Sequence, residues 1–220
     1  MFGAAGGGST PADSSIPNAR LAVSPRLRRR DRDAGSGGVG ANRRPNMTVS
    51  EPQSSGVLPQ PRMVRICHLA ISSGHNYFGR QGGEPGDAPV VEVTEVECVA
   101  GHGLRGDRFF DFKPDYKGQI TFFAMETYEA LVAALGCSGG RPLAVRRNVF
   151  TRGMDLLALV GREFELQGVR FSGSEECRPC EWMDHAVAPG ADAWLRGRGG
   201  LRARILSDGI LRQGEGLIRV

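Results

Sequence analysis

The stretch RRNVFTRGMDLLALVGREFELQGVRFSGSEECRPCEWMD, Arg146 to Asp184, decides how this chain is read. Its middle, REFELQGVRFSG (Arg162 to Gly173), alternates apolar and polar residues on both sides of Gln167–Gly168. Side chains alternate faces along a strand, so this pattern around a Gly-containing turn reads as two strands. Upstream of them, RRNVFTRG reads as another strand and MDLLALVG as a short helical or turn segment. The end, GSEECRPCEWMD (Gly173 to Asp184), sets Cys177 and Cys180 beside an arginine, a proline and several carboxylates.

Working outward, MVRICHLAIS (Met63 to Ser72) reads as a first strand with Val64 and Ile66 on one face. Ser72 to Asp87 is a loop broken by Gly and Pro. PVVEVTEVECVAG (Pro89 to Gly101) has a long strand pattern whose apolar face switches at Thr94 or Glu95, which predicts a bulge. GHGLRGDRFFDF is a Gly-punctuated turn followed by aromatics, and GQITFF (Gly118 to Phe123) is a short strand. It runs into AMETYEALVAAL (Ala124 to Leu135), where Ala124, Tyr128, Leu131, Val132 and Leu135 recur at helical spacing until GCSGG stops them. After Cys180, EWMDHAVAPG shows no convincing helix, while Pro189 to Leu195 reads as a short one. Strands over Leu201 to Leu206 and Leu217 to Val220 flank a Ser-Asp-Gly turn and a Gly-Glu-Gly turn. Roughly seven to nine short strands and two or three helices predict an α+β, strand-dominated fold with a curled or barrel-like sheet.

Composition divides the chain. Residues 1–62 are rich in Gly, Ser, Pro, Ala and Arg and nearly free of aromatics. Such a segment cannot bury enough apolar surface to offset its lost conformational entropy, so a disordered tail is expected there, with the folded domain at 63–220. Translated sequence upstream of a start at Met47 or Met63 would read the same way. Nine Arg against four Asp/Glu give the tail about +5, which leaves the rest nineteen basic and twenty acidic residues, about −1, within an overall charge of +4. The basic character therefore belongs to the tail, and no nucleic-acid partner is expected of the domain.

No apolar run approaches the ~20 residues of a membrane span, so no membrane partner is expected. The first residues lack the charged-then-apolar layout of a secretory signal. Asp31 and Asp33 interrupt the basic cluster that a transit peptide would show, although organelle targeting by the tail stays open. Five cysteines are too few and odd in number for a disulfide scaffold, which points to a reducing, cytoplasmic setting.

Four readings of the cysteine pair stand beside one another. A structural zinc site needs four Cys/His ligands. Cys67 and His68 are adjacent on a strand and face opposite ways, and His185 would be a third ligand. A thioredoxin-like pair needs its first thiol at a helix N-terminus. An inert buried pair suits the burial habit of free Cys but not the surrounding Arg178, Glu175, Glu176, Glu181 and Asp184. A single reactive or metal-binding thiolate on a loop suits a soft metal and a neighbouring arginine.

The quoted stretch resembles the core of the MOSC family, the C-terminal domain type of molybdenum cofactor sulfurases. It carries in order an Arg-Asn-Val strand, a Gly-x-Asp-Leu segment, a VG-x-x-F-x-x-G hairpin and a Cys-x-x-Cys turn. GLRGDRFF with KGQITFF resembles the earlier part of that domain, and GGLRARILSDGILRQGE its last strands. The resemblance spans about residues 63–220 and implies a stand-alone, β-barrel-like domain holding a molybdopterin-type molybdenum cofactor. In relatives the second Cys of a Cys-x-x-Cys pair is the metal ligand, which lands on Cys180 as both catalytic and metal-binding residue. Arg178 and Pro179 would line the cofactor, and Arg146 with Asn148 would contact the pterin or its phosphate.

A phosphate and a dithiolene call for fixed cationic forks, which Arg146, Arg147 and Arg152 can supply near one strand. Arg105 and Arg108 flank Asp107 in a Gly-rich turn whose N–H groups can approach a phosphate. In a regular strand only one of Arg146 and Arg147 can face the site, Asp107 can simply cap a turn, and Gln119 can simply end a strand. His75 and Asn76 fall in a loop that could border a substrate. Glu181 and Asp184 lie close enough in sequence to act as proton donors.

The pyridoxal-phosphate domain of the fused sulfurases is absent, so no pyridoxal phosphate is expected on this chain. What the resemblance implies is an oxidoreductase that reduces N-hydroxylated small-molecule substrates, fed by an external electron donor. The alternative is a carrier that takes sulfur from a donor protein as a Cys180 persulfide, without turnover of its own.

Overall fold

The computed structural model describes residues 60–76 and 82–220. The expectation of a disordered tail falls almost wholly on residues outside these.

The chain runs β1 (Arg62–Ile71), β2 (Val91–Val93), β3 (Glu95–Val99), β4 (Gly103–Leu104), β5 (Ile120–Ala124), α1 (Met125–Leu135), β6 (Val149–Arg152), β7 (Glu163–Leu166), β8 (Val169–Glu176), α2 (Trp182–Ala186), α3 (Ala191–Leu195), β9 (Leu201–Ile205), β10 (Gly209–Arg212) and β11 (Gly214–Arg219). Single 3-10 turns lie at Pro142–Val145 and Leu157–Leu159. The strands β11, β7, β8, β9, β5, β6 and β1 pair in that order, and β1 pairs back onto β11. The sheet therefore closes on itself as a seven-stranded barrel, with β2 attached to the far part of β1. A separate three-stranded sheet, β10-β3-β4, stands beside it. The strand-dominated, barrel-like fold expected from the sequence is the one observed.

The β7–β8 hairpin forms where the alternation places it. Gln167 and Gly168 both take positive φ, 52° and 81°, the conformation of the two-residue turns whose twist matches a hairpin. Helix α1 occupies the periodic segment and ends at Gly136 in the left-handed conformation. The long pattern at Pro89–Gly101 is broken at Thr94, but the break is a corner rather than a bulge. β2 joins the barrel and β3 leaves for the small sheet.

Three expectations need correction. Residues 209–212, read as part of a turn region, form β10 because β3 offers them an antiparallel partner. The Gly-Glu-Gly segment is the start of β11, where Gly214 and Gly216 pair with Ile66 and Val64. EWMDHAVAPG contains the short helix α2, whose Met183 is buried against α1 and α3.

The strands β5 and β6 form the parallel pair of the barrel wall and are buried on both faces. Phe122 points into the barrel against Phe164 and Phe171, while Phe123 points outward against Phe150. Ile120, Phe122, Val149, Phe171 and Ala203 belong to the barrel core. Phe123, Phe150, Tyr128, Leu131, Met183 and Leu195 form a second core under the helices. Each buried Phe is worth about 1.5–3 kcal/mol, so this double-sided wall is a firm base for what its ends carry. Gly173 marks the tightest point of the barrel rim. A Cβ there would stand 2.0 Å from the Leu159 carbonyl oxygen, in the region where the β8–β9 register shifts.

Candidate functional site

The segment entering β6 sets the site. After the 3-10 turn Pro142–Val145, Arg146 takes φ 56° and ψ 43°, a left-handed conformation that costs a non-glycine residue about 1–2 kcal/mol. This departure from strand geometry lets both Arg146 and Arg147 line one cleft of about 550 Å³. A regular strand would have turned one of them away. The same cleft is lined by Arg108 from the Gly-rich turn and by His75 and Asn76 from the loop after β1. Pro179, Cys180, Glu181 and Trp182 come from the Cys-x-x-Cys turn and the start of α2.

The two arginines do different work. Arg146 donates to the Ala88 carbonyl (2.8 Å), the Ser72 hydroxyl (2.8 Å) and the Gly74 carbonyl (2.6 Å), so it ties down the loop that borders the cleft. Its guanidinium lies 5.6 Å from the Trp182 ring. Arg147 donates to Gly199, Val145 and Cys177 carbonyls at 3.2, 2.9 and 2.9 Å. It holds the Cys-x-x-Cys turn against the β9 approach. The approach is close enough that a Cβ on Gly199 would sit 2.3 Å from the Cys177 carbonyl oxygen.

Asp107 is more than a turn cap. One carboxylate oxygen accepts from the Phe109 N–H, and the other from the Ser72 N–H and the Asn148 side chain, each at 3.1 Å. Arg108 pairs with it at 3.4 Å and also donates to the Arg146 carbonyl. Asn148 in turn accepts from the Thr121 N–H and hydroxyl and donates to the Ala70 carbonyl. It braces the network from behind, outside the cleft lining.

Positive charge is in excess at the cleft base. Burial, reinforced by Arg108 and only partly offset by Asp107, lowers the pKa of Arg146 to about 10. Burial likewise lowers that of Arg108, against the pull of Asp107. His75 is held below its ordinary value first by burial and then by Arg108, with Arg146 adding to the effect. These groups keep the base cationic at neutral pH while leaving His75 neutral.

Of the two cysteines, Cys180 is exposed at the cleft and Cys177 is buried. Arg202 donates to Glu175 at 2.9 Å; burial lowers its pKa, but the nearby Cys177, Tyr116 and Glu175 outweigh this and the net change is upward. Among the described residues, no three His, Cys, Asp or Glu side chains converge as a metal-binding group, which counts against a zinc cluster.

Other residues singled out in the sequence lie elsewhere. Arg105 is exposed on the surface of the small sheet and paired with Glu97 of β3 at 3.1 Å. Arg178 is exposed beside the cleft, in a smaller recess shared with Glu176 and Arg196. Arg152 pairs with Glu129 on the outside. Gln119 is buried as a bridge from the Gly101 carbonyl to the Ile205 N–H. The Asp184 carboxylate accepts from the Asp192 N–H. Trp182, Asp192 and Arg196 line the cleft without having been anticipated. Trp182 lies two residues after Cys180 and was the one with a signal, a lone large aromatic beside the thiol.

A small barrel with a thiol and buried arginines at one end describes a class, and comparison names it. The MOSC domain matches residues 105–217, and the chain belongs to the MOSC domain family. The crystal structure of the YuaD protein from Bacillus subtilis is similar at TM-score 0.57 and 16% identity, over 72% of this chain and 96% of that one. YiiM from Geobacillus stearothermophilus is similar at TM-score 0.51 and 14% identity, over 71% and 75%. At such identities the likeness shows the fold. Among curated proteins, no significant sequence match is found.

Proposed function

We propose that this MOSC-domain protein binds a molybdenum cofactor in the cleft and acts as a small oxidoreductase on N-hydroxylated substrates, with Cys180 as the metal ligand. The observation that carries the reading is the pairing of an exposed thiol with an excess of buried cations in one cleft. Among the described residues, Asp107 is the carboxylate that offsets both Arg108 and Arg146, so the base favours an anionic ligand. A soft sulfur beside it suits a thiophilic metal. A buried acceptor at the cleft wall, Asn76 Oδ1, has no partner among the described residues, which suits a ligand N–H. The donor set therefore fits a cofactor that combines phosphate, pterin and metal.

Arg108, Arg146 and Pro179 would hold the cofactor, while Arg147 and Asn148 keep the supporting turns in place. When bound, molybdenum supplies two-electron oxo-transfer chemistry. Trp182 offers the cleft a flat apolar wall, and neutral His75 can donate or accept a proton at the cleft edge. Glu181 accepts the Gly82 N–H and so closes one side of the cleft with a loop contact. Electrons would come from a separate redox protein in a cytoplasmic setting. No helix of the described residues is long and apolar enough to cross a membrane.

The test is metal analysis of protein made in a host that synthesises the cofactor, wild type beside Cys180→Ser. Molybdenum near one per chain, lost in the variant, is expected. Molybdenum retained by the variant would sink the ligand assignment. The exposure of Cys180 also favours a second reading, a carrier holding a Cys180 persulfide. That reading predicts cyanide-labile sulfur and no turnover with any electron donor.

A further inference from the structure

Aromatic rings from distant parts of the chain meet at the cleft. Trp182, the first residue of α2, and His75, in the loop after β1, both line it. Trp182 is held in place by its Nε1, which donates to the Ala144 carbonyl at 2.7 Å. The His75 ring stands edge-on to Phe109 at 4.9 Å and to Phe112 at 6.4 Å. Phe109 stacks on Tyr116 at 5.1 Å, and Phe112 lies 5.5 Å from Phe109 and 5.0 Å from Tyr116. These rings form one cluster that runs from the cleft to the surface, where Phe112 is 39% exposed.

Phe109, Phe112 and Tyr116 stand outside both hydrophobic cores, so the fold alone does not account for them. The cations at the cleft base are seated on the same aromatic surface. The Arg108 guanidinium lies 4.9 Å from the Phe109 ring and that of Arg146 lies 5.6 Å from Trp182. Burial, with Arg108 next in effect, holds His75 below its ordinary value, so at neutral pH it offers an uncharged ring. The site thus has a cationic end and an aromatic end. Aromatic rings gain from ring–ring contact beyond the area they bury, and stiff side chains lose little entropy when a ligand settles on them.

We propose that Trp182 and the cluster of His75, Phe109 and Phe112 are specificity-determining residues, which select small molecules carrying a flat conjugated ring over saturated ones of the same size. That the ring belongs to a substrate whose reactive group reaches Cys180 rests on the molybdenum reading; the selection for flatness does not. The pterin of a cofactor is also flat. The exposure of Phe112 favours the substrate, which arrives from solvent after a cofactor is seated.

The experiment titrates the full-length chain, made in hosts with and without cofactor synthesis, with benzamide and with cyclohexanecarboxamide, and reads Kd by NMR. The two compounds share a head group and differ in the flatness of the ring, and apolarity alone would favour the cyclohexane compound. Benzamide is expected to bind about tenfold more tightly. Trp182→Leu should cut this preference to about threefold, and Phe112→Ala should also lower it, whereas Trp182→Phe should keep most of it. A merely structural tryptophan would change both affinities together and leave their ratio alone. Equal affinities in the wild type, binding of neither compound, or a ratio unmoved by both Trp182→Leu and Phe112→Ala would overturn the proposal. So would a preference present in the cofactor-free chain and lost on loading, which would give the rings to the pterin. Molybdenum content is measured separately, so a chain without molybdenum that still prefers benzamide would sink the molybdenum reading and leave the selection intact.

Discussion

Arg105 and Arg108 sit three residues apart on one Gly-rich turn, at the border between two regions of the molecule. Arg105 belongs to the outer surface, where arginines meet carboxylates in water: Glu97 for Arg105, Glu129 for Arg152, Asp115 for Arg204. Arg108 belongs to the cleft base, with Arg146 and Arg147, where side chains are largely enclosed and their partners are mostly backbone carbonyls. The difference shows what makes an arginine functional. On the surface the charge is matched and screened, and the pair is nearly dispensable. At the cleft base the charge is unmatched and held, which costs stability and leaves a standing attraction for an anion.

The sharpest way to break this contrast is to remove Asp107, the carboxylate that offsets Arg108 and Arg146. Asp107→Ala leaves Arg108 and Arg146 uncompensated and strips a hydrogen-bond partner from Ser72, Phe109 and Asn148. A loss of about 3–5 kcal/mol is expected. Urea denaturation reads it, and a loss too small to measure would mean the network is decorative.

Next in size is Arg147→Ala, which orphans buried carbonyls at Cys177 and Gly199. About 1–3 kcal/mol should be lost, together with faster alkylation of Cys177. Unchanged labelling in a destabilised variant would show that the arginine does not hold the turn.

A smaller effect concerns His75. Its folded pKa is depressed, first by burial and then by Arg108. The unfolded chain therefore binds its proton more readily, and this contribution to stability is present above the ordinary histidine range and fades as pH falls through the depressed folded value. Arg108→Met should move the His75 titration back up, as followed by NMR. A titration unmoved by the substitution would remove Arg108 from the electrostatics of the cleft.

The smallest effect is expected at Arg105→Ala, which should leave the denaturation midpoint where it was and, on the proposed molybdenum reading, the metal loading too. Loss of loading there would extend the functional region across the border.

Residues with local signals were legible in the sequence. The β7–β8 hairpin and α1 followed from alternation and periodicity, because each is decided by neighbours in sequence. The residues 209–212 were not, since what makes them a strand is β3, far away in the chain. The corner at Thr94 looked like a bulge because one strand pattern serves two sheets. At the site, Cys180, Arg108, Arg146, Arg147 and Pro179 gather in one cleft. Arg105, Asn148 and Arg178 do not line it. No spacing rule announces the left-handed turn at Arg146 that admits both arginines. Trp182 and Asp192 come from short helices, and Arg196 from the residue just past one, whose register depends on packing against α1 and the 3-10 turn.

The barrel is sealed by its first strand meeting its last, with Arg62 opposite Ile218 and Ile66 opposite Gly214. That seam governs the order of events during synthesis. While β5 to β9 emerge from the ribosome and pair, β1 has β6 on one edge but no β11 on the other. An unpaired edge is a template for pairing with another chain, and pairings between distant residues form slowly. The nascent protein therefore carries an open edge until β11 is made. Its yield in a crowded cell should depend on how well that edge is shielded in the interval.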